Sequence, residues 1–289
     1  MLAKAEAARI RHCRQESNRG QQKGRRIVKT VLTIAGSDCS GGAGIQADLK
    51  TITSFGVYGE SVVTALTAQN TMGVADIFPV SPDFLEKQLE CVFTDIVPDA
   101  VKIGMITGIE QMRVIRDCLV KYRARHVVMD TVMVSTSGRH LMEPGAFGYY
   151  CRELLPLAEL YTPNLPETEF LLKTTIKTKK ERVAAVREFA LQYRGIIYLK
   201  GGHDDSCADD LFYDGENLVW LVAPHIDNSN THGTGCTLSS AIACGLAMGL
   251  TACESARQAK EYVTGAIACG LDLGKGNGPL NHMYRMKKP

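Results

Sequence analysis

The segment Asn230-Thr-His-Gly-Thr-Gly-Cys236 carries the residue types best suited to chemistry, and a run of small and apolar residues, Thr237–Leu250, follows it directly. Gly233 and Gly235 allow a tight turn and close backbone approach to another molecule. The run behind them reads as the start of a buried helix. A glycine-rich turn that feeds a helix N-terminus leaves backbone N–H groups without acceptors and a partial positive charge. Both suit a phosphate or a developing anion. Thr234 lies between the two glycines, so Gly233–Cys236 forms one cradle. Cys236 falls in the first helical turn, where the same field is expected to lower a thiol pKa. One short segment thus offers an anion cradle and a candidate base or nucleophile, a pairing that points to group transfer. His232 is read as a loop contact in preference to a base.

A second candidate is Gly36–Asp48, G-S-D-C-S-G-G-A-G-I-Q-A-D, with four glycines in its first nine residues. No G-K-[ST] closes it and no G-x-G-x-x-G is present, so neither a Walker loop nor a dinucleotide fingerprint applies. It reads as backbone wrapped around a small substrate, with Gly36 and Asp48 among the contacts. A tight strand-to-helix turn would use the same glycines. Asn164 and Glu167 stand three residues apart at a helix start, the spacing of a capping box. The same pair suits a hydrated Mg²⁺ and its phosphates, and both roles can hold at once. Asp130 ends a β-branched stretch, either to organise a loop or to meet a metal or Lys200. Lys200, followed by two glycines, is placed to meet a phosphate oxygen. Gln69 both donates and accepts, which matches an aminopyrimidine edge. Met105 and Val132 could wall an aromatic ring, though on their own they read as core. The seven histidines show no zinc-ligand spacing.

These residues need a frame that brings them together. Strand-like runs at Val31–Ala35, Ser61–Leu66, Ala100–Ile103, His126–Met129, Leu157–Tyr161 and Ile196–Lys200 alternate with helical patterns. The helices are expected over Ile45–Phe55, from Ser81-Pro82 to about Thr94, and over Glu110–Tyr122, Pro166–Lys173 and Lys180–Tyr193. Leu211–Tyr213 and Leu218–Val222 flank Asp214-Gly215 as a hairpin. Thr251 and Glu254 form a capping box that opens the last long helix. Such alternation implies an α/β protein with a doubly wound, largely parallel sheet. Ligands bind such sheets at the carboxyl ends of the strands. Gly36-Ser37-Asp38, Gln69-Asn70, Gly104, Asp130, Asn164 and Lys200-Gly201-Gly202 all fall there, so one rim is expected to gather them.

With 289 residues and 45% apolar content, the chain can bury a large core. No apolar run reaches membrane-spanning length. The net charge of +2 hides an asymmetry: residues 1–26 hold eight Lys and Arg against two Glu, which leaves the remainder at −4. A mildly acidic body is a poor partner for nucleic acid. Residues 1–27 read as a basic, disordered extension or a misassigned start, and 28–289 as one domain. Ten cysteines at irregular spacing, with no C-x-x-C, read as reduced cytoplasmic thiols.

The motifs A-G-S-D-C-S-G-G-A-G-I-Q-A-D-L-K-T (35–51), T-A-L-T-A-Q-N-T (64–71), K-I-G-M (102–105), M-D-T-V-M (129–133), T-P-N-L-P-E (162–167), K-G-G-H (200–203) and N-T-H-G-T-G-C-T-L-S (230–239) resemble the ribokinase-like superfamily. Within it they are most similar to the hydroxymethylpyrimidine/phosphomethylpyrimidine kinases of thiamine biosynthesis. The likeness runs in unbroken order over roughly residues 28–285. It implies a three-layer α/β/α kinase that uses ATP and Mg²⁺, with a monovalent cation requirement left open. It implies an aminopyrimidine alcohol and then its monophosphate as substrates. Gln69 would bind the pyrimidine, Gly233–Cys236 would form the anion hole, and Cys236 would stand where most of the superfamily carries an aspartate base. Mg²⁺ would lie near Asp130 and Glu167 without a tight protein-only site. A homodimer is expected. Pyridoxine/pyridoxal kinase is the alternative, since such kinases share the turn and its cysteine. Cys39 departs from the proline or serine common at its position and puts an oxidisable thiol near the substrate loop.

Overall fold

Strands that are apolar on both faces must be covered on both, and the central strands here are of that kind. The computed structural model describes residues 28–133, 141–143, 145–202 and 208–286. The extension expected over 1–27 and His203 of the K-G-G-H segment lie outside the described residues. In chain order the elements are β1 (Thr30–Asp38), α1 (Gly44–Ser54), β2 (Tyr58–Asn70), β3 (Gly73–Pro79), α2 (Pro82–Thr94), β4 (Ala100–Ile103), α3 (Ile109–Tyr122) and β5 (Val127–Met129). A short helix α4 (Ala146–Tyr149) continues irregularly to Leu157. Then come β6 (Leu160–Tyr161), α5 (Leu165–Leu172), α6 (Lys179–Tyr193), β7 (Ile196–Leu199), β8 (Asp210–Tyr213), β9 (Leu218–Leu221), α7 (Thr234–Ala247) and α8 (Ala252–Ala268).

Among the described residues the strands form one sheet in the order β3-β2-β1-β4-β5-β6-β7-β8-β9. The run from β2 to β7 is parallel, while β3 and the β8–β9 hairpin add antiparallel edges. Side chains alternate between the two faces with a period of two. Leu32, Ile34, Val101, Ile103 and Met129 pack with α2, α3 and α6 through Leu89, Ile115 and Phe189. Val31, Ala100, Val128 and Tyr198 pack on the other face with α7 and α8 through Ile242, Ala243 and Ala259. The expected three-layer α/β/α arrangement follows.

The expected elements occur, with differences of extent; the strand expected over Leu157–Tyr161 is only Leu160–Tyr161, because Leu155–Leu157 closes as a 3₁₀ turn. β1 runs three residues past Ala35, through a register shift between Ala35 and Ser37, so Asp38 reaches the sheet's carboxyl edge. β2 extends to Asn70 and pairs with β3, a strand that no sequence pattern signals. Most of β3 is exposed or half-buried, so no burial periodicity marked it.

One polar contact crosses the apolar layer beneath α7. Lys102 on β4 and Asp48 on α1 are fully buried, with Lys102 Nζ 3.0 and 2.8 Å from the two carboxylate oxygens. Thr33 Oγ1 donates to the same carboxylate at 2.6 Å and Ser240 Oγ of α7 at 2.8 Å. Two strands and two helices therefore meet on one satisfied ion pair. Breaking such a pair from one side leaves an uncompensated buried charge. Lys102→Met is expected to lose about 3–5 kcal/mol in denaturant unfolding, part of which Asp48→Asn restores. Burial already raises the Asp48 pKa against the pull of Lys102. Without the ammonium, the folded-state pKa stays above the unfolded one. The variant's stability is then fullest at low pH and is lost as pH rises from the unfolded aspartate's pKa through the raised folded-state one. An unchanged unfolding midpoint in Lys102→Met would contradict this account.

Candidate active site

The carboxyl ends of the parallel strands open on one cavity of about 1020 Å³, large enough for two small ligands side by side. The loop after β1 is built on the Asp38 carboxylate. Its Oδ1 accepts from Ser40 N at 2.8 Å and Ser40 Oγ at 2.7 Å, and its Oδ2 accepts from Gly42 N at 3.1 Å and Ala43 N at 2.8 Å. His232 Nε2 lies 3.0 Å from Oδ2. Burial alone would raise this carboxyl's pKa. The hydrogen bonds from His232, Ser40 and Ala43 outweigh it and hold the pKa well below the usual range. The loop tip then turns at Gly44, which has φ +55° and where a Cβ would strike Gly36 O.

The second glycine turn lies against the first. Gly233 has φ +86°, and a Cβ there would collide with Gly42 O and lie 3.2 Å from Ala43 Cα. Gly233 caps α7 without a side-chain bond, and Thr234 N reaches back to Thr231 O at 3.3 Å. The N–H groups of Gly235 and Cys236 follow in the first turn, where a helix supplies no acceptor. A Cβ on Gly235 would stand 3.3 Å from Lys200 Nζ and 3.4 Å from Asp130 Oδ2. The open end of α7 therefore faces a charged cluster. Lys200 Nζ donates to Asp130 Oδ1 at 3.1 Å and lies 3.9 Å from Glu167 Oε2. Burial would lower the Lys200 pKa, but Asp130 and Glu167 raise it further, so the ammonium stays charged. Burial raises the Glu167 pKa and Asp130 adds to it, against Lys200, the Asn164 N–H and the Thr131 hydroxyl. Asn164 and Glu167 do form a capping box, through bonds of 2.8 Å each way, and both also line the cavity.

Twelve of the thirteen residues expected at the site line this one cavity: Gly36, Gln69, Met105, Val132, Asp130, Asn164, Glu167, Lys200, Gly233, Thr234, Gly235 and Cys236. Asp48 does not. It faces inward to Lys102 beneath α7, so its expected contact with substrate is corrected to a structural ion pair. The i, i+3 and i+4 geometry of α1 explains this: Asp48 shares a face with the buried Ile45, Thr51 and Ile52. Gly104 and Gly201, expected at the rim, lie behind it. Cys39 is exposed, and its thiol donates to Gln69 O at 3.1 Å.

The expectation for the Cys236 thiol is also corrected. Burial pushes its pKa up to about 11. Lys102 and the Gly44 N–H oppose the shift, while Asp48 and Asp130 reinforce it. The helix-end field does not prevail over desolvation and the two nearby carboxylates, although the residue is only half-buried and borders the cavity. Sequence reasoning missed the far wall, where Pro224, His225 and Ile226 after β9 meet Val263, Thr264 and Ile267 of α8. The only signal was the apolar stripe of α8, which reads as core. It also missed Asp210, which accepts from Gly201 N at 2.7 Å, Tyr198 OH at 2.6 Å and Lys260 Nζ at 2.7 Å and so fixes the turn after Lys200.

A family model described as phosphomethylpyrimidine kinase matches residues 38–281. The hydroxymethylpyrimidine/phosphomethylpyrimidine kinase of Rhizobium meliloti is 47% identical over 267 residues, covering 91% of this chain and all of that one. The thiamine biosynthesis bifunctional protein of Geobacter sulfurreducens is 49% identical over 258 residues, 88% of this chain; the match spans about half of that protein, 52% of its length. An ADP complex of Bacillus subtilis pyridoxal kinase superposes with a TM-score of 0.83 at 33% identity, covering 90% of this chain and 100% of that one.

Site-resolved alkylation tests the environment of the sulfur. Cys236 should react slowly with iodoacetamide at neutral pH, and its rate should climb with pH towards about 11. A rate already at its plateau below about pH 8 would place the thiolate in the resting enzyme and contradict the burial argument.

Proposed function

The chain belongs to the phosphomethylpyrimidine kinase family, and from that premise we propose that residues 28–289 act as one domain that transfers the γ-phosphoryl of ATP to 4-amino-5-hydroxymethyl-2-methylpyrimidine and then to its monophosphate. One observation carries this reading: the recognition amide of Gln69 and the open N-terminus of α7 line the same cavity. The pyrimidine would lie against Gln69, Met105 and Val132. The nucleotide would take the side bounded by Lys200 and α8, with its base against Val263 and Ile267. Phosphoryl transfer depends mainly on positioning and on charge stabilisation. The Gly235 and Cys236 N–H groups would hold the equatorial oxygens while Lys200 approaches from the side.

Asp130 and Glu167 fit a Mg²⁺ carried in on the nucleotide. Both are oxygen donors beside the phosphate cradle, and burial leaves Glu167 short of compensating positive charge. When bound, the ion would neutralise charge across the phosphates. Leu66 and Phe78, partners across the β2–β3 ribbon, are both exposed, which supports a homodimer. Among the described residues no helix is long and apolar enough to cross a membrane. The eight free cysteines found there support a reducing, cytoplasmic setting.

Cys236 takes the alcohol proton in this scheme. At a pKa of about 11 the sulfur rests protonated, and reaching the thiolate near pH 7.5 costs about 5 kcal/mol. A barrier of about 16 kcal/mol, typical of turnover near 10 s⁻¹, can contain that step. A thiolate of raised pKa is also a stronger base towards an alcohol. The second acceptor is different. A phosphate monoester loses its last proton near pH 6 and needs no base.

Cys236→Ala should therefore slow the first phosphorylation by roughly 10²–10⁴-fold and the second by less than about tenfold. Equal losses in both steps would assign the cysteine to packing alone. Gln69→Ala should weaken pyrimidine binding and leave ATP affinity nearly unchanged; calorimetry giving equal pyrimidine affinity would contradict it. The resemblance to pyridoxal kinase makes pyridoxine the natural second substrate to test. The aminopyrimidine alcohol is expected to show the higher kcat/KM, and a preference for pyridoxine would reverse the assignment.

A further inference from the structure

Gln69, His232, Asp38 and Thr67 form a chain of contacts in which donors and acceptors can be counted. His232 Nε2 lies 3.0 Å from Asp38 Oδ2 and 3.3 Å from Gln69 Nε2. Thr67 Oγ1 lies 3.0 Å from both Ser37 O and Gln69 Oε1. The Asp38 carboxylate already accepts from Gly42 N and Ala43 N and can only accept, so His232 Nε2 must carry a hydrogen towards it. A protonated Nε2 cannot also accept from an amide NH₂. At the other end, Ser37 O can only accept, and Thr67 has one hydroxyl hydrogen. Thr67 can reach Gln69 Oε1 only by splitting that hydrogen with Ser37 O.

Half a turn of the Gln69 amide resolves both conflicts at once. Nε2 then donates to Thr67 Oγ1, and Oε1 shares the hydrogen on His232 Nε2 with Asp38. The two ends of an amide are nearly the same in size and shape, and the hydrogen-bond network decides between them. The imidazole itself cannot swing aside. His232 N donates to Gly278 O at 3.1 Å, the residue bridges to Pro279, and a Cβ on Gly42 would strike its ring.

We propose that His232 is a specificity-determining positioning residue: with Asp38 it fixes the Gln69 amide with Oε1 towards His232 and Nε2 towards Thr67. This rests on the reading of Gln69 as the pyrimidine contact. The second lone pair of Oε1 and the second hydrogen of Nε2 are then left for a ligand. A 4-aminopyrimidine offers an NH₂ donor beside a ring-nitrogen acceptor, and one such amide meets both. The 4-oxo analogue reverses the pair, with a carbonyl beside a ring N–H. It would need the amide turned back, with both conflicts restored. The selectivity thus originates in a proton on His232 that never touches the substrate.

The test compares kcat/KM for the 4-amino alcohol and its 4-oxo analogue. The parent should favour the amino form strongly. His232→Leu removes the shared hydrogen, frees the amide to turn, and should narrow the ratio by about tenfold or more while KM for ATP stays unchanged. His232→Gln, whose NH₂ can donate to both acceptors, should restore part of the ratio. Gly42→Ala, which displaces the ring without removing it, should narrow the ratio as well and serves if His232→Leu does not fold. A folded His232→Leu enzyme with the parent's ratio, alongside a Gln69→Ala enzyme that has lost it, would overturn the proposal. If Gln69→Ala also keeps the ratio, the reading of Gln69 fails, and the proposal with it.

Discussion

The site depends on a contact between two backbones. Gly233 and the Gly42–Ala43 peptide lie so close that no side chain fits between them. The loop after β1 and the turn before α7 are nearly two hundred residues apart in the chain, yet they meet with no intervening side chain. This approach explains why both segments are rich in glycine: Gly233 is left-handed at the contact, and Gly41 and Gly44 are left-handed on either side of Gly42–Ala43. His232 and Asp38 join the same two loops through side chains, so the contact is held by polarity as well as by shape.

Charge is arranged around this contact in two tiers. Lys102 and Asp48 lie beneath α7 with no exposure, and Lys200 and Asp130 lie at its open end. The lower pair is saturated by Thr33 and Ser240, so it anchors the layers and contributes little free charge. The upper pair is only partly satisfied and borders the cavity, so it can exchange partners when an anion arrives. The sulfur of Cys236 lies between the tiers. Its raised pKa reflects burial beside carboxylates, and the neighbouring ammonium of Lys102 limits the rise.

Most of the frame was legible in the sequence because the signals were local. Ser81-Pro82 and Thr251–Glu254 start helices by capping chemistry, and the structure has the caps where the sequence places them. Alternation of short β-branched runs with helical patterns was enough to infer the parallel sheet, and the tendency of ligands to bind at strand carboxyl ends gathered the site. The misses are non-local. Asp48 sits in a polar-looking loop motif, but the face of α1 decides its fate, and its partner is on β4. The Cys236 pKa depends on how deeply α7 is packed, which no spacing reveals. β3 is an edge ribbon with little buried surface, so it carries no periodic signature. The wall on α8 looks like core because it is apolar, and only its place along the cavity distinguishes it.

The central claim is that the Gly235 and Cys236 amides receive the phosphoryl group in flight. The most direct measurement is a crystal structure with ADP, Mg²⁺, the aminopyrimidine alcohol and aluminium fluoride as a mimic of the transferring group. The account predicts the fluoride plane within hydrogen-bonding distance of both amides, with Lys200 at its edge and the alcohol oxygen in line beside the Cys236 sulfur. Aluminium fluoride seated elsewhere in the cavity, with those two N–H groups turned to solvent, would contradict it.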